Sequence, residues 1–416
     1  MVRFWPMAIY GSLRQTVLVA VVLSGLVSTV GQGQRVRVKD RFGPAWAPVQ
    51  EFFHRTLNEE GVVGGSMIFF HGDTVLAREF HGLADLATKR PVDERTIYHW
   101  ASITKTFTSI AIMQLRDRGR LGLDDPILKY VPELRAVHNP FGPMEAITLR
   151  MLMSHSAGFR NGTWPWGGDK PWHPHEPAEW SQLVAMMPYT EILFPPGSKF
   201  SYSNPGVVFL GRTIEGLTGE DYEVYVEKNL FRPLGMSSSY FDLTPYHLLA
   251  QRSNNYDVKA GVPVANGLDF DTGITVSNGG LNAPITDMVK YLQFLVGAPG
   301  VPEAGRGVLA RASLKEMWQP VLPLGGSEGG SIGLAFFLLD RNGVRLVGHT
   351  GSQKAFRSFF YIDPVSRAGV IAAFNTAPAD DPRNPTDQGP DKPRIGMLFS
   401  GLLQRLADGV FPIYHQ

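Results

Sequence analysis

Strand-like segments gather near the two ends of this chain, and the long middle is helical. "GSMIFFHGDTVLAREF" reads as a β-hairpin turning at His71-Gly72-Asp73, since β-branched and aromatic runs flank a tight glycine-containing turn. Far downstream, "SIGLAFFLLD", "VRLVGHTG", "RSFFYIDP" and "AGVIAAFN" read as further strands. From about 120 to 285 the pattern is helical segments broken by long loops rich in Pro, Gly and Trp. This distribution implies one sheet assembled from both termini, with an all-helical insertion between its two parts. "PAWAPVQEFFHRTLNEEG", "ITDMVKYLQFLVG" and "RIGMLFSGLLQRLADGV" carry helical apolar spacing. With 44% hydrophobic residues and no internal repeat or low-complexity linker, residues 45–416 read as one folded domain despite their length.

A net charge of +1 gives no electrostatic case for a nucleic-acid partner. Zero cysteines exclude disulfides, thiol nucleophiles, cysteine metal sites and a lipid-modified cysteine. Arg3 and Arg14 precede an uncharged run, residues 15–34, and Arg35 is the next charge. Residues 1–34 therefore read as a signal peptide, or as an uncleaved N-terminal anchor, because the uncharged run is about long enough to cross a bilayer. Either way the remainder is expected outside the cytoplasm, periplasmic or secreted. A membrane is a partner only in the uncleaved case.

Ser102 reads as the start of a helix that ends near Gly119. A helix N-terminus favours acidic residues in its first turn, and a capping serine is normally answered three residues on by Glu or Gln. Here the answer is Lys105. Residues three apart on a helix share a face, a serine hydroxyl needs a neighbour to take its proton, and an ammonium in a dry, partly positive setting gives up its own. Ser102 and Lys105 thus fit a nucleophile and base. The alternative is a capping serine beside a solvated lysine.

"FPPGSKFSYSNPG" places Tyr202 and Asn204 two apart on a constrained loop. A phenol there suits proton transfer to a leaving group if nearby cations lower its pKa from about 10, and the amide suits orienting lysine and substrate. An exposed turn that exploits Asn is the other reading. In "GHTGSQKAF", His349-Thr350-Gly351 lies at the tail of a strand, with glycines that let a ligand approach the backbone. Such a strand can hold an extended substrate and lend an N–H to an oxyanion.

Taken in this order, the pieces resemble the penicillin-recognising serine hydrolases, and among them the class C β-lactamase-like branch with its DD-peptidases and esterases. The patterns shared are Ser-x-x-Lys, Tyr-x-Asn and Lys/His-Thr-Gly. Segments such as "LRMLMSHSAGF", "PLGMSSS" and "NGGLNAPITDMVKYL" resemble the family between and around them. The resemblance spans nearly all of 45–416. It implies an α/β (α+β) fold: an antiparallel sheet flanked by helices, plus an all-helical lobe. It implies Ser102 as nucleophile, Lys105 as its proton acceptor and Tyr202 as general acid/base. Asn204 would contact substrate and lysine, and His349, Thr350 and Gly351 would hold the substrate. The N–H groups of Ser102 and Ser352 would form the oxyanion hole. Two positions depart from the pattern. His349 stands where class C β-lactamases carry lysine, and a histidine with pKa near 6.5 is only partly charged at neutrality. Ala355 stands where glycine is usual, which would narrow or stiffen the approach to the strand.

Rival signals are weaker. "GGSEGG" holds the Gly-x-Ser-x-Gly elbow pattern around Ser327, but a strand follows where that elbow needs a helix. His173 and His175 lie in a loop with Trp164, Trp166 and Trp172, where no metal-spaced partner is visible. His155 reads as a hydrogen-bonded structural histidine. The expectation is an exported serine hydrolase using an acyl-serine intermediate on esters or amides, with neither metal nor organic cofactor. Its partner would be a small-molecule or peptide acyl substrate, and β-lactam turnover would be weak. A true class C-type β-lactamase and a non-catalytic penicillin-binding-like receptor are the alternatives.

Overall fold

The computed structural model of the chain describes residues 41–162, 177–259, 261–268, 271–325, 329–377 and 395–415. The N-terminal signal or anchor, the Trp164–His175 loop and Ser327 lie outside the described residues. Helix α1 spans 41–59. Strands β1 (Gly64–His71), β2 (Thr74–Asp85) and β3 (Arg90–Pro91) follow, then the short β4 (Ile97–His99) and helix α2 (Thr104–Asp117). Helices α3 (Leu149–Met153), α4 (Trp180–Met186) and α5 (Asn204–Thr218) lie in the middle of the chain. That stretch is not wholly helical, since it also holds strands β5 (Tyr240–Phe241), β6 (Tyr256–Lys259), β7 (Val262–Ala265) and β8 (Leu281–Pro284). These strands are too short to leave a periodic signature. The C-terminal part supplies β9 (Leu322–Pro323), β10 (Ser331–Ile332), β11 (Phe337–Arg341), β12 (Val344–Gln353), β13 (Phe356–Asp363), β14 (Ala368–Phe374) and β15 (Thr376–Ala377).

The main sheet runs β3-β2-β1-β14-β13-β12-β11-β10-β9, antiparallel throughout. Its seam is β1 against β14, with Ile68 opposite Ile371, so the two ends of the chain do build one sheet. The first hairpin turns at Gly72-Asp73, where Gly72 has φ +58° and suits a residue without a Cβ.

Both faces of the sheet are covered. Met67 and Phe69 of β1 pack with Val49 and Phe53 of α1 and with Leu398 and Leu402 of the C-terminal helix Ile395–Arg405. Their neighbours Ile68 and Phe70 point the other way, toward Phe107 and Ile110 of α2 and Leu292 of helix Ile285–Val296. All of β13 and β14 is consequently buried, and each large apolar side chain so placed contributes about 1.5–3 kcal/mol. No helix among the described residues is long and apolar enough to cross a membrane.

Candidate active site

Ser102, the expected nucleophile, sits on a strained turn rather than on a helix cap. Strand β4 leads into Trp100, fully buried and fixed by its N–H on the Leu281 carbonyl (2.8 Å) and its Nε1–H on that of Ala283 (2.9 Å). Ala101 then adopts φ +49°, a left-handed conformation that non-glycine residues take only when their surroundings fix it. A single 3₁₀ turn, Ala101–Ile103, precedes α2, whose N-cap is Ile103 without a side-chain cap. The α-helix thus starts at Thr104 rather than at Ser102, and the alternative of a capping Ser102 does not hold. Thr104 ties the helix start instead, donating to the Ala101 carbonyl (2.6 Å) and accepting the Leu281 N–H (3.1 Å). Ser102, half-buried, keeps its hydroxyl for other work. Its N–H lies in the first residues of a helical turn, where no intrahelical acceptor exists.

Lys105 is fully buried, one turn on. Its Nζ lies 3.0 Å from Ser102 Oγ and donates to the Asn278 carbonyl at 2.7 Å. That carbonyl belongs to the short helix Val276–Gly279, packed across α2. Among the described residues no carboxylate contacts the amine, and burial holds its pKa well below 10.5. In its neutral form the amine can donate one hydrogen to the Asn278 carbonyl and turn its lone pair toward Ser102. The lysine that looked misplaced at a helix N-terminus is thus unlike a solvated one in every respect.

Tyr202 comes from the loop leading into α5. Its ring centre lies 5.1 Å from Lys105 Nζ and 6.3 Å from the His349 ring. It also stacks on His155, centroids 4.3 Å apart. Asn204 behaves differently from expectation. It is the first residue of α5, after the N-cap Ser203, and its amide donates to Asn161 Oδ1 (3.3 Å); the hydrogen bonds of the Lys105 amine among the described residues go to Ser102 and Asn278. The lysine contact expected of Asn204 is made by the Asn278 carbonyl, a backbone atom that side-chain patterns cannot announce.

The fourth wall is β12. Strand β11 begins at Phe337, opposite Gly348, so from His349 to Gln353 β12 is paired with β13 on one side only. The edge of Thr350, Gly351 and Ser352 that faces away from β13 runs beside the turn that carries Ser102. Contact is so close that a Cβ on Gly351 would stand 2.3 Å from the Trp100 carbonyl oxygen, which explains the glycine there. Ala355 is in the two-residue turn Lys354-Ala355 between β12 and β13. Its N–H donates to Asn255 Oδ1 (3.2 Å), so it shapes the turn beyond the strand.

His349 overturns its expected partial charge. It is 1% exposed, and its pKa is lowered to about 3, chiefly by burial and secondly by Lys105. Its Nδ1 lies 2.6 Å from the Thr350 carbonyl, which only accepts, so the ring is neutral with its proton on Nδ1. Nε2 is buried and has no hydrogen-bond partner among the described residues. Among those residues no group of His, Asp and Glu is spaced to hold a metal ion.

Comparison with known proteins agrees with this arrangement. The sequence profile of the Beta-lactamase family matches residues 49–389. Protein flp of Staphylococcus aureus (strain COL) is 24% identical over 327 residues, covering 79% of this chain and 62% of that protein. The chain thus spans less than two thirds of the length of that curated relative. The octameric penicillin-binding protein homologue from Pyrococcus abyssi superposes with a TM-score of 0.68 at 27% identity, covering 85% of this chain and 77% of the other. A class C β-lactamase superposes with a TM-score of 0.69 at 18% identity, covering 89% and 97%, which speaks to the fold alone. The mixed α/β architecture with its antiparallel sheet is that of the β-lactamase/DD-peptidase fold, and the chain belongs to the Beta-lactamase family of serine hydrolases.

Proposed function

We propose that this chain is an exported hydrolase that passes acyl groups through Ser102 and prefers uncharged esters or amides over carboxylate-bearing donors. The observation that carries the first half is the fully buried Lys105 amine, 3.0 Å from Ser102 Oγ and without a carboxylate to retain its proton. In the proposed reaction Lys105 takes the hydroxyl proton as Oγ bonds to the acyl carbon. Backbone N–H groups of Ser102 and Ser352 hold the developing oxyanion. Tyr202 delivers a proton to the departing oxygen or nitrogen as its bond to carbon breaks. Water then adds to the acyl-serine, giving up a proton to the same bases, and the acid leaves with Ser102 Oγ–H restored.

The second half rests on His349. A neutral, buried imidazole supplies no positive charge for a substrate carboxylate, whereas an apolar or neutral polar group meets no penalty there. Export rests on the basic, then uncharged, N-terminal run of the sequence. The test is mass spectrometry after exposure to a fluorophosphonate, a penicillin and a short-chain aryl ester. A covalent adduct on Ser102, absent from Ser102→Ala, is expected. The variant should fold normally, since the hydroxyl contributes about 1 kcal/mol through its contact with Lys105. Labelling that persists in Ser102→Ala would end the assignment.

A further inference from the structure

We propose that His155 is a positioning residue for Tyr202: its backbone and ring together fix the phenol beside Lys105, and so govern how well a poor leaving group is expelled. The inference rests on the reading of Tyr202 as proton donor given above.

His155 lies just past α3 and holds three consecutive residues at once. Its carbonyl accepts the Ser201 N–H (2.8 Å), its Nδ1 accepts the Ser203 N–H (3.2 Å), and its ring lies on the Tyr202 ring between them, tilted by 27°. Tyr202 is thereby held against the His155 ring, with the Lys105 amine 5.1 Å from its ring centre. The clamp requires φ +52° at His155, a left-handed backbone that His and Asn tolerate better than bulkier residues. Strain of this kind persists where several contacts over-determine it, and it concentrates at functional sites.

The clamp also requires a neutral ring. Nδ1 accepts from Ser203, so the single proton sits on Nε2, and a second proton would abolish the acceptor. Burial holds the ring well below its ordinary pKa. The Nε2–H is buried without a protein partner among the described residues, as is His349 Nε2. A histidine serving only the core would need neither the left-handed backbone nor an unspent donor beside the reacting groups.

Three variants separate the parts of the clamp. His155→Phe keeps the stacking face and loses the acceptor. His155→Asn keeps an acceptor and tolerates the backbone but loses the face. His155→Ala loses both. p-Nitrophenyl acetate expels its aryloxide without a proton, whereas an alkyl acetate or an acyl anilide needs one. Removing the clamp should lower kcat/KM for the alkyl ester by about 10²-fold in His155→Ala, the loss expected when a general acid is displaced. p-Nitrophenyl acetate should change by less than about threefold, because protonation contributes little to that step. Fluorophosphonate labelling of Ser102 should persist, and His155→Asn should recover part of the lost rate. An equal fall on both esters, or an unchanged alkyl ester rate, would overturn the proposal. If His155→Ala does not fold, the same comparison in the Asn and Phe variants decides it. Absence of labelling in the wild-type chain would remove the serine-hydrolase reading, and this proposal with it.

Discussion

Replacing Lys105 by methionine should stabilise the protein while removing its chemistry. In the unfolded chain the lysine titrates near 10.5, and in the fold burial with no anionic partner pulls that value far down. Folding therefore works against the protonated amine, and this penalty falls by about 1.4 kcal/mol for each pH unit as pH rises toward about 10.5. Methionine has nearly the same length and carries no such cost. What it forfeits is the donor to the Asn278 carbonyl, 2.7 Å away, and an unsatisfied buried carbonyl costs about 1–3 kcal/mol. The net expectation is a gain in stability at pH 7, the desolvation of the charged amine outweighing the orphaned carbonyl.

The pH dependence makes this sharper. Between the lowered pKa of the fold and about 10.5, the unfolded chain binds the extra proton, so wild-type stability rises with pH through that window. The variant lacks this contribution. Denaturant unfolding of both proteins at intervals from about pH 7 to about pH 10 should therefore show the advantage of Lys105→Met shrinking as pH rises. A variant less stable than wild type at pH 7, or a difference that does not narrow, would refute the neutral-lysine argument. The fluorophosphonate should fail to label the variant in any case.

Three further outcomes are expected. For wild type, the ratio of kcat/KM for a penicillin to that for an aryl acetate should be flat from about pH 5.5 to about 8.5, because His349 stays neutral down to about 3. A ratio that falls with rising pH would mean that His349 is charged when substrate binds. His349→Lys should raise that ratio about tenfold or more, since a charged hydrogen bond to a carboxylate is worth about 1.5–3 kcal/mol; an unchanged ratio would remove His349 from the substrate site. Gly351→Ala should slow labelling of Ser102 by about 10²-fold and destabilise by about 1–3 kcal/mol, because the new methyl meets the Trp100 carbonyl at 2.3 Å; labelling kinetics and a thermal melt check both.

Much of the fold was legible because its signals are local. The Gly72 turn, the apolar spacing of α2 and the strand runs of β12 to β14 can each be read within a dozen residues, and strands at both ends already implied a sheet closed by β1 and β14. The short strands β5 to β8 were missed because elements of two to four residues complete no period. Fully buried strands such as β13 lose the alternation that marks a half-exposed one, and are found only by their β-branched and aromatic content.

At the site, the sequence by itself determined which side chains could do chemistry. Ser102, Lys105, Tyr202 and the His349-Thr350-Gly351 strand were all named by residue type and spacing, and the structure places them around one cleft wall. Their charge states were decided elsewhere. A lysine becomes a neutral amine, and a histidine a permanently neutral one, only when distant elements remove water from around them. Here α2 meets the Val276–Gly279 helix across 173 residues of chain, at Lys105 and Asn278, and β11 brings Phe337 against His349. The strained Ala101, the Asn278 carbonyl and the His155 clamp share this origin: backbone conformation and backbone acceptors carry no residue-type signature. Spacing along the chain fixes what a side chain is; desolvation and backbone geometry, which exist only after folding, fix which proton it holds and where it points.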